Sequence, residues 1–175
     1  MKEELRCYTF TDFMVSPIQQ GIQSGHAAME LVNKYLLEEG WQNGYAEVVA
    51  DWVTNHKTII CLNGGRYEDV VDWLRFFEDG LVLQHQNNLP FAGFTEEPAQ
   101  GGNLTSVAVI LPERIFNGAT ALREAKWNDE YVVVWDHILE ELRITFDTKE
   151  APLTLTYNKW ERDLMLRTNR LQLAR

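Results

Sequence analysis

The stretch that decides the fold is CYTFTDFMVSPIQQGIQSGHAAMEL, residues 7–31. Its first half is rich in β-branched and aromatic residues and predicts a strand over 6–15. The run breaks at Ser16-Pro17. Ser16 as N-cap, Pro17 at the first helical position and Gln19 three residues after the cap form a helix-start signature. A helix is therefore expected to run to about 39, where Gly40 stops it. Ile18, Ile22, Met29, Val32 and Leu36 recur at helical spacing and are expected to be its core stripe. Gly21, Gly25 and Ala28 are expected to form a flat face that lets the helix lie close against a sheet. His26 is the one titratable side chain in the middle of the helix. Strand-to-helix junctions of this kind are where α/β proteins commonly seat a ligand.

Working outward, 45–54 predicts a shorter helix carrying Val48, Val49 and Trp52. The continuous apolar run KTIICL at 57–62, ahead of Asn63-Gly64-Gly65, predicts a central strand covered on both faces. An amphipathic helix is expected over 67–80, with Val70, Val71, Leu74 and Phe77 inward and acids in the first turn. Strands are expected at 89–95 and 105–111, joined through a loop at Gly101-Gly102-Asn103, with Pro112 ending the second. The order β-α-α-β-α-β-β defines an α/β fold with a mixed sheet of about four strands flanked by helices. Beyond Phe116, the spacing of Val132, Trp135, Leu139 and Leu142 predicts a helix over 128–142. A short strand is expected at 153–156 and a basic amphipathic helix over 160–173. The chain thus divides into a core, 1–116, and a largely helical extension, 117–175, that packs on the core or on a partner.

Composition narrows the function classes. Of 175 residues, 45% are hydrophobic and 11% aromatic, enough for a real core. No apolar run approaches the ~18 residues of a membrane span. MKEELR leads into no apolar h-region, so no secretory signal and a cytoplasmic location are expected. Cys7 and Cys61 fall inside apparent buried strands and read as reduced core residues rather than a disulfide framework. The net charge is −10, and residues 1–116 hold 7 Lys+Arg against 16 Asp+Glu. Nucleic-acid binding draws its affinity from phosphate neutralisation, so a polyanionic partner is disfavoured.

Several short segments, in order, resemble the type 2 peptidyl-tRNA hydrolase family. That family opens its first helix with Gly-Lys-Ile-Ala-Ala-Gln-Cys-(Ser/Gly)-His-Ala-Ala, where this chain has Ile18 to Ala28, matching at Gln23, His26, Ala27 and Ala28. Its later strand ends Asp-Ala-Gly-(Arg/Lys)-Thr-Gln, where this chain has Phe91-Ala92-Gly93-Phe94-Thr95-Glu96. Gly101-Gly102-Asn103 stands at the family's Pro-Gly-Ser, and 105–112 is similar to its last strand. The resemblance spans about 6–116. It implies hydrolysis of the ester joining a peptide to tRNA, with Thr95 and His26 as catalytic residues and Gln19, Gln23, Gly93, Glu96 and Asn103 around the substrate. The departures bear on that chemistry. The family's lysine falls on Gln19, its aspartate on Phe91 and the following basic residue on Phe94. Gln19 carries no charge, and Phe91 can neither orient nor deprotonate a water.

The remaining candidates have ordinary explanations. Gln19 fits the third position of a capping box with Ser16. His26 is expected as a half-buried helix histidine between Ile22 and Met29, bonded to a backbone carbonyl. Thr95 with Glu96 and Glu97 could bind a metal or a basic peptide, yet no histidine stands at ligand spacing. Asn63-Gly64-Gly65 lacks the lysine of a phosphate loop, and His137 with Glu140 lacks a second histidine. No metal and no cofactor are expected. Trp127, Trp135 and Trp160 mark the extension as a surface for packing, for a protein partner or for a homodimer. The leading expectation is a non-catalytic binding module on a type 2 peptidyl-tRNA hydrolase-like core. The alternative is a hydrolase of peptidyl-tRNA, ester or amide substrates working in the same cleft. A third reading, an acidic mimic of nucleic acid or inhibitor of a basic partner, rests on charge alone.

Overall fold

The computed structural model describes residues 3–38, 44–83, 89–125, 130–148 and 151–171. They form two compact units that divide at Pro112. The first holds β1 (Leu5–Asp12), α1 (Pro17–Val32), α2 (Gly44–Asp51), β2 (Thr58–Gly65), α3 (Tyr67–Leu83), β3 (Phe91–Thr95) and most of β4 (Leu104–Pro112). The second holds α4 (Glu113–Glu124), β5 (Tyr131–Asp136), β6 (Glu141–Phe146), β7 (Leu153–Asn158) and α5 (Lys159–Thr168).

The first unit is an α/β structure around a mixed four-stranded sheet in the order β2-β1-β4-β3. β1 pairs with β2 in parallel, and β3 with β4 antiparallel. β4 is central, and its first eight residues are buried, as a strand covered on both faces requires. The strand expected to be central, 57–62, instead lies at an edge. Ile59 there is 44% exposed, so an apolar run did not by itself place the strand inside. β2 must approach β1 closely. A Cβ on Gly64 would come within 2.7 Å of the Phe10 carbonyl carbon, so only glycine fits there.

β1 sorts its side chains by alternation. Phe10 stacks on Trp73 of α3 at 4.0 Å between ring centroids. Leu5 and Cys7 join Ala27, Ala28 and Leu31 of α1 in a buried apolar cluster with Tyr35, Val49 and Trp52. Farther along the same face the contacts turn polar. Thr9 Oγ1 lies 2.5 Å from Ser24 Oγ, and Thr11 Oγ1 lies 2.9 Å from Ser106 Oγ of β4.

Beside that seam the predicted stripe is overturned at its first three members, whereas Val32 and Leu36 pack against the core as expected. The buried residues of α1 are Gln20, Gln23, Ser24, Ala27, Ala28 and Leu31. Ile18, Ile22 and Met29 are exposed, as is Gly21, and Gly25 is half-buried, so of the expected flat face only Ala28 is buried in the core. The buried Thr9 hydroxyl finds its partner in Ser24 of the helix, while the inward Gln20 donates to the Phe13 and Val15 carbonyls and Gln23 bonds Glu96 and Thr105. The start of the helix is as expected. Ser16 Oγ accepts the Gln19 N–H at 3.3 Å, and Gln19 Oε1 accepts the Ser16 N–H at 3.1 Å. The α-helix ends at Val32 and continues as a π-helical turn, Asn33–Glu38. A second π-helical turn, Trp52–His56, follows α2 and ends at Lys57 in the left-handed conformation, φ 57°.

The second unit corrects the largely helical extension. It is a three-stranded antiparallel sheet, β5-β6-β7, carrying α4 and α5 on one face. Of the helix expected over 128–142, the part within the described residues, 130–142, lies in the β5–β6 hairpin. Three consecutive valines, 132–134, favour a strand. Asp136 closes the turn by accepting the N–H groups of Ile138 and Leu139 at 2.9 and 3.0 Å. His137 and Glu140 therefore sit in a hairpin turn and share no helical face. The strand expected at 153–156 is β7, and α5 covers much of the helix expected over 160–173. Leu142, Ile144, Tyr157, Leu164 and Met165 make the buried core with Ile115 and Phe116 of α4. Gly118 lets α4 lie against that core, since a Cβ there would come within 2.9 Å of the Tyr157 ring. Glu161 is 3% exposed, pairs with the Arg114 guanidinium and caps α5 by accepting the Asn158 N–H at 3.0 Å. Among the described residues no helix is long and apolar enough to cross a membrane.

Candidate functional site

β3 is an edge strand, and α1 lies along it. Two clefts open beside it and share Glu30 and Thr95. One, of about 290 Å³, is lined by His26, Met29, Glu30, Phe94, Thr95, Glu96 and Glu97. The other, of about 350 Å³, runs along Phe91, Ala92 and Gly93, with Glu30, Lys34 and Glu38 on one flank and Leu74 and Glu78 of α3 on the other.

Of the residues carried over from the resemblance, His26, Thr95 and Glu96 meet in the first cleft. His26 is exposed, not half-buried between Ile22 and Met29. Its ring packs on Phe94 at 4.6 Å and an interplanar angle of 59°. Phe94 thus holds the histidine ring. Among the described residues no hydrogen bond joins Thr95 to His26 or to a carboxylate. Gln23 is buried behind the cleft. It donates through Nε2 to Glu96 and accepts the Thr105 hydroxyl at 3.3 Å, which anchors Glu96 at the strand end. Gly93 lines the second cleft, where a Cβ would come within 2.8 Å of Leu104. Asn103 contributes its backbone, its C=O accepting the Glu96 N–H at 3.0 Å. Gln19 is not gathered into either cleft, being exposed and engaged in the cap of α1.

Phe91 is 4% exposed and stacks on Phe77 at 5.7 Å. Lys34 Nζ sits 5.0 Å from the centre of its ring. The Tyr35 hydroxyl donates to the Phe91 C=O at 3.2 Å and accepts the Phe91 N–H at 3.4 Å. The edge groups of β3 are thereby satisfied at that end. Two residues on, strand alternation turns the Gly93 backbone in the same direction, toward the cleft.

Sequence reasoning missed Glu30, Lys34, Glu38 and Glu78, because nothing in their local pattern marks them as neighbours. They converge only once α1 and α3 flank β3. It also missed the buried hydroxyl seam, although Thr9 and Thr11 at alternate positions of a strand are a legible hint. The cysteines add no nucleophile. Both are free thiols, and burial pushes the Cys7 pKa up to about 12. Among the described residues no three His, Cys, Asp or Glu side chains gather as a metal site. In the second unit, Trp135 and Trp160 are half-buried, and the Arg162 guanidinium lies 4.2 Å from the Trp135 ring centre. Trp127 lies outside the described residues. No protein-family model, curated protein or solved structure matches the chain.

Proposed function

We propose that this chain is a binding module on a divergent type 2 peptidyl-tRNA hydrolase-like core, and that its ligand is a basic, extended polypeptide segment seated along β3. The observation that carries this reading is the pair of adjoining clefts beside β3, one lined by Glu30, Glu38 and Glu78 and the other by Glu30, Glu96 and Glu97. Their one lysine, Lys34, already lies over the Phe91 and Tyr35 rings. Clustered acids in a cleft raise the local concentration of cations and repel a phosphate backbone. An edge strand offers main-chain groups that an extended segment can pair with. The positions at which the family has a lysine and an aspartate hold a capping glutamine and a buried phenylalanine, which supports binding without hydrolysis.

The test is fluorescence anisotropy of a labelled Lys/Arg-rich peptide against the full chain, with an acidic peptide of equal length as control. Selective capture of the basic peptide, weakening with salt, is expected. The double variant Glu30→Gln/Glu96→Gln should bind about tenfold more weakly, as ion-pair losses of about 1.4 kcal/mol imply. Equal binding of both peptides would overturn the proposal. A second reading, a hydrolase of peptidyl-tRNA, draws on Thr95 and His26 lining one cleft. Cleavage of peptidyl-tRNA that Thr95→Ala abolishes would establish it in place of the first.

A further inference from the structure

The outward side of α1 is more apolar than the side it buries. Ile18 is 78% exposed, Ile22 49% and Met29 65%, and Met14 just ahead of the helix is 68% exposed. At 3.6 residues per turn, positions 18, 22, 25 and 29 share one side, opposite Gln20, Gln23, Ala27 and Leu31. A second feature coincides with the first. Residues 13–29 contain no Asp, Glu, Lys or Arg, seventeen consecutive positions in a chain that is 24% charged. Exposed aliphatic side chains and depleted charge are the composition of an interface core. The glycines on this side are unexplained by the fold itself. A Cβ at Gly21 or Gly25 would meet nothing within 4 Å, although glycine is the poorest helix former after proline.

We propose that this face is a self-association surface on which a second copy of the chain lays its own α1, antiparallel across a twofold axis. The pattern is self-complementary. Centred between positions 23 and 24, an antiparallel pair sets Ile22 of each copy over the bare backbone at Gly25 of the other, and Ile18 beside Met29 of the other. Charge confines the contact to this stretch. Two chains of net −10 repel over most of their surfaces, and this stretch is where they can approach without that cost. A partner recognised by charge, whether nucleic acid, charged peptide or anionic lipid, finds no charged side chain in 13–29 to bind. A sixteen-residue helix offers a patch on the order of 300–400 Å² per copy, against about 800 Å² in a standard interface. The dimer is therefore weak and in exchange with monomer.

Analytical ultracentrifugation of the full chain, from about 1 to about 500 μM, spans the range in which a weak pair populates. A reversible monomer–dimer equilibrium is expected. Ile18→Glu/Ile22→Glu should leave monomer throughout, with an unchanged far-UV spectrum because both side chains are exposed. Gly25→Ala should loosen the dimer at least tenfold while the monomer melts no lower than the parent, which separates lost association from misfolding. Monomer at every concentration, or a dimer indifferent to these substitutions, would overturn the proposal. Binding to neutral phosphatidylcholine vesicles, lost in Ile18→Glu/Ile22→Glu and with no dimer in solution, would assign the face to a lipid surface instead.

Discussion

At the scale of single residues, burial and the partner within reach fix what a side chain can do. Cys7 has no accessible surface, and desolvation of the thiolate holds its pKa near 12 against an ordinary value of 9.0. In the unfolded chain the thiol ionises from about pH 9, while in the folded chain it stays protonated. The unfolded state then binds fewer protons, so Cys7 lowers stability as pH rises from about 9 toward 12 and has no effect below that window. Urea titrations at pH 8, 9.5 and 10.5 should show this loss, and Cys7→Ala should flatten it. The same burial leaves Cys7 inert to a thiol reagent at pH 8 in the native protein. Thr95 and His26 illustrate the converse. Both are accessible in one cleft, and no hydrogen bond among the described residues turns the pair into a base and nucleophile.

At the scale of elements, termini and turns follow local chemistry closely. The Ser16–Gln19 box starts α1, and Asn158 with Glu161 forms the same device at the start of α5. Asp136 turns the chain between β5 and β6, and the two backbone N–H groups it accepts, Leu139 before Ile138, hold its carboxyl below the ordinary value. Lys57 ends the second π-helical turn at φ 57°, where its exposed side chain gains nothing and its Cβ crowds the backbone. Lys57→Gly should therefore raise stability by about 0.5–1 kcal/mol, seen as a higher urea midpoint at constant slope. A lower midpoint would show that the side chain contributes.

At the scale of the whole molecule, each unit owns its core. Glu161 serves the second alone, through Arg114 and the Asn158 N–H. Glu161→Ala should cost that unit about 2–3 kcal/mol, less than a fully buried pair because the Arg114 side chain is 37% exposed. Native-state hydrogen exchange should show lost protection in β6, β7 and α5 with β1 and β4 unchanged. Lost protection in both units would mean that they unfold as one.

The sequence by itself determined the order of the first seven elements, the start of α1, the ends of β3 and β4, and the acidic balance. These rest on capping, turn chemistry and composition, which act within a few residues. It misread two kinds of feature. Residues 128–142 carry a 3.6-residue spacing, but three adjacent valines and an Asx-type turn put the described part, 130–142, in a hairpin. In the predicted stripe Val32 and Leu36 pack against the core, but the direction was wrong over Ile18, Ile22 and Met29. Periodicity says that a helix has two sides, and only the sheet says which one it needs. Here Ser24 meets Thr9, Gln20 donates to the Phe13 and Val15 carbonyls and Gln23 bonds Glu96 and Thr105, so these polar residues face inward and Ile18, Ile22 and Met29 face solvent. The acidic clefts likewise exist only in three dimensions, because Glu30, Glu78 and Glu96 come from separate elements that the edge of β3 draws together.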